Sequence, residues 1–361
     1  MTRDRASDAG HVHDLFDRHV FLTGGTGSVG RTLLDYLDRC FDAHGGLRVT
    51  VLTRDATAFA KHYPAQAQRP WLELVEGSLA RLPSLPTGTT DVIHAAADTH
   101  LGSGHAGWID QIVGGTQGLL EAAAQARAGR FLLVSSGAIY GPQPASMVHM
   151  SEDYPGAPDP MLPGSTYGQA KRAAEQLCTI ACHEQGLQTI VARLFAFGSA
   201  HMPRDERYAL GSFVRDALAD DDAPIRIAGD GSAVRSYLGG HDMAHALVTA
   251  LTIGCPGTAY NVGSDTPVGI KDLAERVRDR LSPRREVVIL GAASNGQRSR
   301  YVPDVQRIVA LGAAARTDLD QVIDEVAGVA VVSLQQYREL PQTVDGSQAA
   351  RLSDITRGKL D

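Results

Sequence analysis

Short apolar segments alternate with amphipathic helical patterns through the first 200 residues of the chain. Each apolar segment has the length of a buried strand and is followed by a stretch with helical periodicity. This rhythm predicts an α/β fold, namely a Rossmann-type doubly wound parallel sheet with helices on both faces. Ligands then bind at the carboxyl ends of the strands. The predicted strands, some quoted with the turn that follows, are "HVFLTGG", "LRVTVLTRD", "WLELVEG", "DVIHAAA", "RFLLVSSG" and "QTIVARLFAFG".

The pattern changes after about residue 197, where loops, glycine and proline increase and the strands shorten. We therefore expect a Rossmann domain over 19–197. A smaller C-terminal α/β domain over 198–336, mainly substrate-binding, is expected to be partly interleaved with it. The polar stretches 1–18 and 337–361 are interpreted as tails.

Composition narrows the possible functions of this 361-residue chain, which is 43% hydrophobic and 21% charged. The net charge of −7 argues against general nucleic-acid binding. The four cysteines match neither a zinc pattern nor a disulfide framework, and no apolar run is long enough to span a membrane. We expect a cytoplasmic protein that does not engage membranes.

The segment "FLTGGTGSVGRTLLDYL" spaces three glycines as Gly-x-x-Gly-x-x-Gly between a predicted strand and a predicted helix. Glycines there permit a tight turn and close approach of a pyrophosphate to a helix N-terminus. The predicted cofactor residues of this loop are Gly24, Thr26, Gly27, Ser28, Val29 and Gly30.

The next strand ends in Thr53, Arg54 and Asp55, where an acid normally binds the adenosine ribose. Thr53 takes the expected acid position, Arg54 can accept a 2′-phosphate, and Asp55 reaches the ribose if the register shifts. The cofactor is therefore NAD or NADP, and Arg54 favours NADP.

Tyr167 and Lys171 lie four residues apart in "STYGQAKRAAE" and hence on one helix face. A neighbouring ammonium should lower the pKa of the phenol and suit it to exchange a proton with an alcohol. Ser136, at the end of an apolar strand, is expected to hydrogen-bond the same oxygen.

Together with "TGGTGSVG", "VSSGAIYG", "VRSYLGGHDMAHAL" and "AYNVGS", these motifs resemble the extended short-chain dehydrogenases/reductases, in the NAD(P)-dependent nucleotide-sugar epimerase/dehydratase family. The resemblance runs from about Val20 to about Leu319. It implies that Ser136, Tyr167 and Lys171 are the catalytic trio and that Arg235 and Asn261 lie near a nucleotide diphosphate. It also implies cofactor contacts in "DVIHAAA" from Ala95, Ala96 and Ala97. A homodimer through helices at about 107–128 and 165–185 is implied as well.

The chain departs from the family pattern at three places. Ile112 replaces a structural Asn, and Ala196 replaces an Asn that often touches the diphosphate. Substrate contacts are then expected from Arg193 or from the "SAHMPRDERYALGSF" loop. The third departure is Gly137 and Ala138, which stand where dehydratases have an Asp and a Glu that expel water across C5 and C6.

Without that acid and base, the remaining groups suffice to oxidise a carbinol and return the hydride. Small residues at 137 and 138 are expected to line the substrate site and leave room for an intermediate to rotate. These features predict a nucleotide-sugar epimerase that acts through a transient 4-keto sugar. Thr99 and His100, with Asp98, follow "VIHAAA" and are further candidates for contact with the substrate.

Other functions stay open at this point. The chain is alternatively an NADP(H)-consuming keto-sugar reductase, a dehydratase or decarboxylase with an atypical acid/base set, or a dinucleotide sensor without catalysis. The intact Tyr167–Lys171 pair argues against the sensor. "HDMAH" places His241 and His245 at zinc-ligand spacing, but the acid between them is Asp242 and no third ligand is evident, so no metal is expected.

Overall fold

The computed structural model describes residue 15 and residues 17–44, 46–96, 104–292 and 299–329. A π-helical turn, Asp110–Gly114, and two 3₁₀ turns, Gly137–Tyr140 and Pro163–Ser165, join the regular elements. The strands are β1 (His19–Thr23), β2 (Arg48–Thr53), β3 (Leu72–Glu76), β4 (Asp91–His94), β5 (Arg130–Ser136), β6 (Gln188–Leu194), β7 (Phe197–Gly198), β8 (Ile225–Ile227), β9 (Val234–Arg235), β10 (Leu238–Gly239), β11 (Thr258–Val262), β12 (Val268–Gly269), β13 (Val287–Ile289) and β14 (Arg300–Tyr301). The α-helices are α1 (Ser28–His44), α2 (Ala56–His62), α3 (Pro64–Ala67), α4 (Gly104–Ile109), α5 (Gly115–Gln125), α6 (Thr166–Gln185), α7 (Ala209–Ala217), α8 (Gly240–Ile253), α9 (Ile270–Leu281), α10 (Gln306–Val309) and α11 (Leu319–Ala327).

A seven-stranded parallel sheet forms the centre of the molecule, in the order β11-β6-β5-β4-β1-β2-β3. The chain begins in the middle of the sheet, winds outward to β3, and then crosses to the other half. The Rossmann-type doubly wound sheet predicted from the sequence is thereby confirmed. Its central strands β1 and β4 are buried along their whole length, which is why their inner residues, 20–22 and 92–93, are apolar on both faces of the sheet.

Each face of the sheet is covered by helices with an apolar side. On one face, α1 and α8 bury residues such as Leu33 and Leu247 in one core with residues of β1, β2, β5 and β6. On the other, α5 and α6 bury Leu119 and Ala174 against β4 and β5. Both layers bring their helices to the carboxyl edge of the strands, where the loops form a cavity.

The C-terminal part of the chain is divided between the two units. A separate core around Phe213, Ile225, Leu273 and Val322 belongs to the smaller unit. The segment of α8 and β11, in contrast, joins the large unit, because β11 pairs in parallel with β6. The Rossmann sheet is therefore completed beyond residue 197, by β11, rather than within 19–197.

The stretch interpreted as an N-terminal tail ends inside the folded structure. Leu15 is 1% exposed in the main core, and Arg18 pairs with the buried Asp91 at 3.0 Å. The tail interpretation is thus corrected for Leu15 and Arg18, while 1–14 and the C-terminal tail of 337–361 lie outside the described residues. Among the helices that the structure describes, none has the length and apolar character to cross a membrane.

Candidate active site

A cavity of about 1760 Å³ opens at the carboxyl edge of the sheet, between the two units. One end lies at the glycine loop after β1, the middle at the ends of β5 and α6, and the far end at β8 and β9. This is the position at which open α/β sheets bind ligands. Its size suits a dinucleotide and a second ligand together rather than a single small molecule.

The glycine loop forms the first end of the cavity. Gly24 has a φ of +76°, and a Cβ there would lie 2.6 Å from the carbonyl carbon of Ala95. A Cβ on Gly30 would lie 2.2 Å from the Gly24 oxygen, so Gly30 lets α1 pack directly on the loop. The Gly27 amide donates to the Gly24 carbonyl at 3.0 Å. The loop thus presents main chain and the N-terminus of α1 to the cavity, which fits a pyrophosphate.

Most predicted cofactor residues line the cavity. Gly30 instead packs behind the loop, Asp55 does not line the cavity, and Ala97 lies outside the described residues. Those on the cavity wall are Gly24, Thr26, Gly27, Ser28, Val29, Thr53, Arg54, Ala95, Ala96, Tyr167 and Lys171.

Asp55 has a local structural role in place of the predicted ribose contact. Its Oδ1 accepts a hydrogen bond from the Ala58 amide at 2.7 Å and so caps α2. Arg54 lines the cavity and forms no ion pair with any residue that the structure describes. At the end of β3, Glu76 accepts from the Ala56 amide at 3.2 Å. The cofactor end therefore offers a cation rather than a carboxylate at the ribose position.

Ser136, Tyr167 and Lys171 are brought together in the middle of the cavity. The Lys171 ammonium lies 6.0 Å from the centre of the Tyr167 ring and donates to the Val134 carbonyl at 2.8 Å. Lys171 is 2% exposed, and burial lowers its pKa to about 8. The helix spacing thus places the pair on one face, as the sequence predicts.

The expected lowering of the Tyr167 pKa is not found. Burial raises that pKa to about 12, and the Ser136 hydroxyl opposes this only in part. The reason is geometric: the ammonium of Lys171 is directed at a main-chain carbonyl of β5 rather than at the phenol oxygen. Tyr167 is accordingly a neutral phenol here and a hydrogen-bond donor.

Tyr301 is a third hydroxyl in this group, and sequence reasoning missed it. It lines the cavity, its ring stacks at 4.5 Å on Phe195, and the Ser136 hydroxyl acts on its pKa as it does on that of Tyr167. Burial raises the pKa of Tyr301, so it too is neutral. β14 carries it into place beside Arg235 of β9. No local pattern marks a two-residue strand, although a lone Tyr after "RSR" was a visible signal.

The space beside Gly137 is filled, which corrects the expectation of free room there. A Cβ on Gly137 would lie 2.5 Å from the Tyr301 hydroxyl and 2.7 Å from the Phe195 ring. Neither Gly137 nor Ala138 lines the cavity, and the Ala138 amide donates to the Ser136 hydroxyl at 3.2 Å. A phenol from the C-terminal unit therefore stands where a side chain at 137 would project.

Arg193 and Asn261 do not reach the cavity, contrary to the sequence-based expectation. Arg193 makes a two-pronged ion pair with Glu175, with Nη2 to Oε2 at 2.8 Å. Asn261 is fully buried, accepts from the Tyr140 hydroxyl at 2.8 Å and donates to the carbonyl of Met150. Both side chains therefore help to hold β6 and β11 in place. The sequence could not predict this, because it does not show which partners lie beside them.

Arg235 lies on the wall of the far end of the cavity, as expected for a diphosphate contact. Its guanidinium donates to the main-chain oxygens of Val234 and Ser299 at 2.8 and 3.1 Å, which fixes its direction. Ala196 also lines the cavity, so the missing Asn leaves space there. Thr99 and His100, with Asp98, lie outside the described residues.

Two other singled-out positions belong to the core. Ile112 is 2% exposed, and its carbonyl accepts from the Thr116 hydroxyl at 2.6 Å within the π-helical region. His245 shares a hydrogen bond of 3.0 Å with the Tyr36 hydroxyl, and the carboxylate of Asp242 accepts from the Thr317 amide at 2.9 Å. The "HDMAH" segment thus joins α8 to α1 and to the segment before α11.

A parallel Rossmann sheet, a glycine loop at the first helix and a Ser–Tyr–Lys set in the cavity define a class of enzyme. It is the extended short-chain dehydrogenase/reductase class. The sequence profile of the NAD dependent epimerase/dehydratase family matches residues 20–263. The chain belongs to this family.

Curated relatives in the family catalyse different reactions. The chain is 27% identical to the low-salt glycan biosynthesis protein Agl12 of Haloferax volcanii, over 81% of this chain and 91% of that protein. It is 27% identical to a dTDP-glucose 4,6-dehydratase of Streptomyces antibioticus, over 79% of this chain and 84% of that protein. It is 24% identical to UDP-glucuronic acid decarboxylase 1 of Danio rerio, over 80% of this chain and 67% of that protein.

Solved structures share the fold at lower identity. A UDP-N-acetylglucosamine 4-epimerase from Methanobrevibacter ruminantium superposes with a TM-score of 0.73 at 19% identity, over 87% of this chain and 97% of that one. A dTDP-glucose 4,6-dehydratase from Bacillus anthracis, solved with NAD, gives 0.70 at 18% identity, over 86% and 96%.

Proposed function

We propose that the protein is an NAD(P)-dependent nucleotide-sugar 4-epimerase that works through a transient 4-keto sugar. The observation that carries this proposal is the set of neutral hydroxyls of Ser136, Tyr167 and Tyr301 beside the buried Lys171. These groups exchange protons and hold an oxygen. Position 137, where a dehydratase acid would stand, has no side chain and is covered by a phenol.

Each residue then has a defined role. Tyr167 acts from its phenolate form: it takes the proton of the sugar C4 hydroxyl, becomes the neutral phenol, and later returns the proton, while the Ser136 and Tyr301 hydroxyls hydrogen-bond the same oxygen. Lys171 supplies the positive charge that favours the phenolate while the proton is away. A bound NAD(P) supplies the chemistry of accepting a hydride from C4 and giving it back. The sugar is inverted when it presents its other face, so the overall reaction is redox-neutral.

Arg235 supports a nucleotide sugar as the substrate. Its side chain is fixed on the cavity wall by main-chain carbonyls, and a guanidinium suits a diphosphate. Two of the relatives named above are named for sugars carried by dTDP or UDP, which are ligands with such a group. The diphosphate at this end would direct the sugar toward Tyr301 and Tyr167, since Arg235 pairs with Tyr301 in the small sheet.

The test uses the protein as purified, with UDP- and dTDP-linked hexoses and hexuronic acids in D₂O and no added cofactor. Epimerisation gives a new C4 isomer whose carbon-bound hydrogens remain protium, because the hydride is returned internally. A product with solvent deuterium at C5 or C6 indicates dehydration, and loss of CO₂ indicates decarboxylation; either result overturns the proposal. The dinucleotide released on denaturation, identified by mass spectrometry, shows whether the cofactor is retained.

A keto-sugar reductase is the second candidate, and Arg54 favours it. This cation lines the cofactor end without a described carboxylate partner, which suits the 2′-phosphate of NADPH. In this case the cofactor would be consumed rather than recycled. Stoichiometric loss of absorbance at 340 nm with a 4-keto nucleotide sugar supports the reductase, and no loss counts against it.

We also propose that the protein is a cytoplasmic homodimer joined through α6 and the helical region around α4 and α5. Ile109 and Ile180 are apolar and 49% and 37% exposed on these helices. An apolar face of this kind gains free energy when a second copy covers it. Light scattering of the wild type and of Ile180→Asp tests this, with a dimer expected for the first and dissociation for the second. A monomeric wild type at micromolar concentration contradicts the dimer.

A further inference from the structure

A buried row of charges lies behind the catalytic hydroxyls, along α6 and β6. Lys171 and Glu175 are one helical turn apart on the same face of α6. Glu175 in turn is bound by Arg193, whose Nε lies 3.1 Å from Oε2 and whose Nη2 lies 2.8 Å from the same oxygen. The row therefore runs positive, negative, positive, and Lys171 is the member on the cavity wall.

The carboxylate of Glu175 is held firmly in place. The Ser135 hydroxyl donates to its Oε1 at 2.5 Å, and the side chains of Glu175 and Arg193 are only 13% and 14% exposed. Arg193 is fixed further by donating to the Tyr140 hydroxyl at 2.8 Å and to the Glu152 carbonyl at 3.1 Å. The position of the Glu175 carboxylate relative to Lys171 is therefore fixed by β5, β6 and α6 together.

We propose that Glu175 is a positioning residue that keeps Lys171 positively charged at working pH and so sets the pH range of proton transfer through Tyr167. The link to catalysis rests on the proposed function, whereas the charge state of Lys171 can be tested without any substrate.

The electrostatic argument depends on which groups face Lys171. Burial lowers the pKa of Lys171 to about 8, and Glu175 is the first influence that opposes this. From β4, His94 is neutral, since burial lowers its pKa to about 3. On α6 itself, burial raises the pKa of the Cys178 thiol and of Tyr167, so both are uncharged.

The β5 groups that face the same region are the hydroxyls of Ser135 and Ser136 and the Val134 carbonyl, none of which ionises. Among the described residues around Lys171, Glu175 is thus the neighbour whose negative charge favours the ammonium. Lys171 is protonated below about pH 8 and loses its charge above it. Removal of the carboxylate must move that midpoint to lower pH.

The sequence provides a clean way to observe this titration, because it contains four lysines, Lys61, Lys171, Lys271 and Lys359. Lys61 and Lys271 are exposed, and Lys171 is 2% exposed. Lysine labelled with ¹³C at Cε gives four signals, assigned by replacing Lys61, Lys271 and Lys359 with Arg one at a time. In full-length protein as purified, the Lys171 signal is expected to titrate near pH 8.

The decisive variant is Glu175→Gln, which keeps the shape and removes the charge. We expect the Lys171 midpoint to fall by about one pH unit or more, as for loss of a nearby opposite charge. Ser135→Ala is the matched control, because it removes the other contact of Glu175 and leaves the charge; its midpoint should equal that of the wild type. Glu175→Asp, which keeps a carboxylate, should lie between the wild type and Glu175→Gln.

Glu175→Gln leaves Arg193 buried without its counter-charge and so risks misfolding. The double variant Glu175→Gln/Arg193→Met removes both charges and should still show a lower midpoint. An unchanged midpoint in the folded variants overturns the inference. If the wild type is active, the alkaline limb of kcat should move to lower pH with the midpoint. If the midpoint shifts but the protein is inert toward every nucleotide sugar, this inference stands and the proposed function is overturned. If the enzyme is active but the midpoint does not move, the proposed function stands and this inference is overturned.

Discussion

The two ends of the cavity are built in different ways. The cofactor end is centred on one stretch of main chain, residues 23–30, whose shape depends on glycine and on the start of α1. The substrate end is made of side chains from distant segments, including Phe195, Tyr208, Arg235 and Tyr301. A backbone-built site depends on local conformation, and a site built from side chains depends on how the whole chain packs. Substitutions at the cofactor end should therefore act by straining the backbone and lowering stability. Substitutions at the substrate end should act by removing a functional group and lowering activity.

The largest expected effect is at the meeting point of the two ends. Tyr167→Phe removes the proton carrier and should lower kcat by about 10³-fold, within the range for a lost acid–base group. The cofactor end is untouched, so the dinucleotide content measured by mass spectrometry should stay that of the wild type. Turnover at the wild-type rate would show that Tyr167 does not transfer the proton.

A matched pair of glycine variants tests the backbone-built end. Gly30→Ala places a Cβ 2.2 Å from the Gly24 oxygen and should cost about 3 kcal/mol of stability, at the upper end of overpacking effects. Gly27→Ala meets the same oxygen at 3.4 Å, an ordinary contact, and should cost much less. Urea unfolding of cofactor-free protein measures both, and equal losses would contradict the strain argument.

Tyr301→Phe tests the end that is built from side chains. The ring and its stacking on Phe195 remain, and only the hydroxyl beside Ser136 is lost. One hydrogen bond to the reacting oxygen should be worth about tenfold in kcat. Thermal stability and bound dinucleotide should be unchanged, and a change in kcat below about twofold would show that Tyr301 does not contact the reacting oxygen.

The smallest effect is expected from Arg54→Gln, on the exposed rim of the cofactor end. If Arg54 binds a 2′-phosphate, the affinity for NADP relative to NAD should fall by about fivefold, because an exposed ion pair contributes about 1 kcal/mol. Titration calorimetry with both dinucleotides gives the ratio. An unchanged ratio would remove the argument for NADP.

The same contrast explains what could be predicted from the sequence. The order of strands in the first 194 residues, the glycine loop and the Tyr167–Lys171 pair follow from local patterns, and each is at the expected place. Tyr301 was missed because it arrives from a strand far along the chain. The sequence predicts a substrate contact for Arg193, because it shows that an Arg lies near the end of β6 but not that Glu175 faces it. The i, i+4 spacing of Lys171 and Glu175 was the available signal for the buried row.

Strand β11, the last of the seven strands of the central sheet along the chain, has a consequence for biosynthesis. Because β11 is the strand that pairs with β6, a chain still emerging from the ribosome has an open edge along β6 until about residue 262 has been made. The last hydroxyl of the cavity arrives only with residue 301. A protein truncated near residue 197, where the composition changes, would leave the β6 edge unpaired and prone to pair with other chains. The glycine loop is translated first, yet the cavity is completed late, so the nascent chain should depend on protection during that interval.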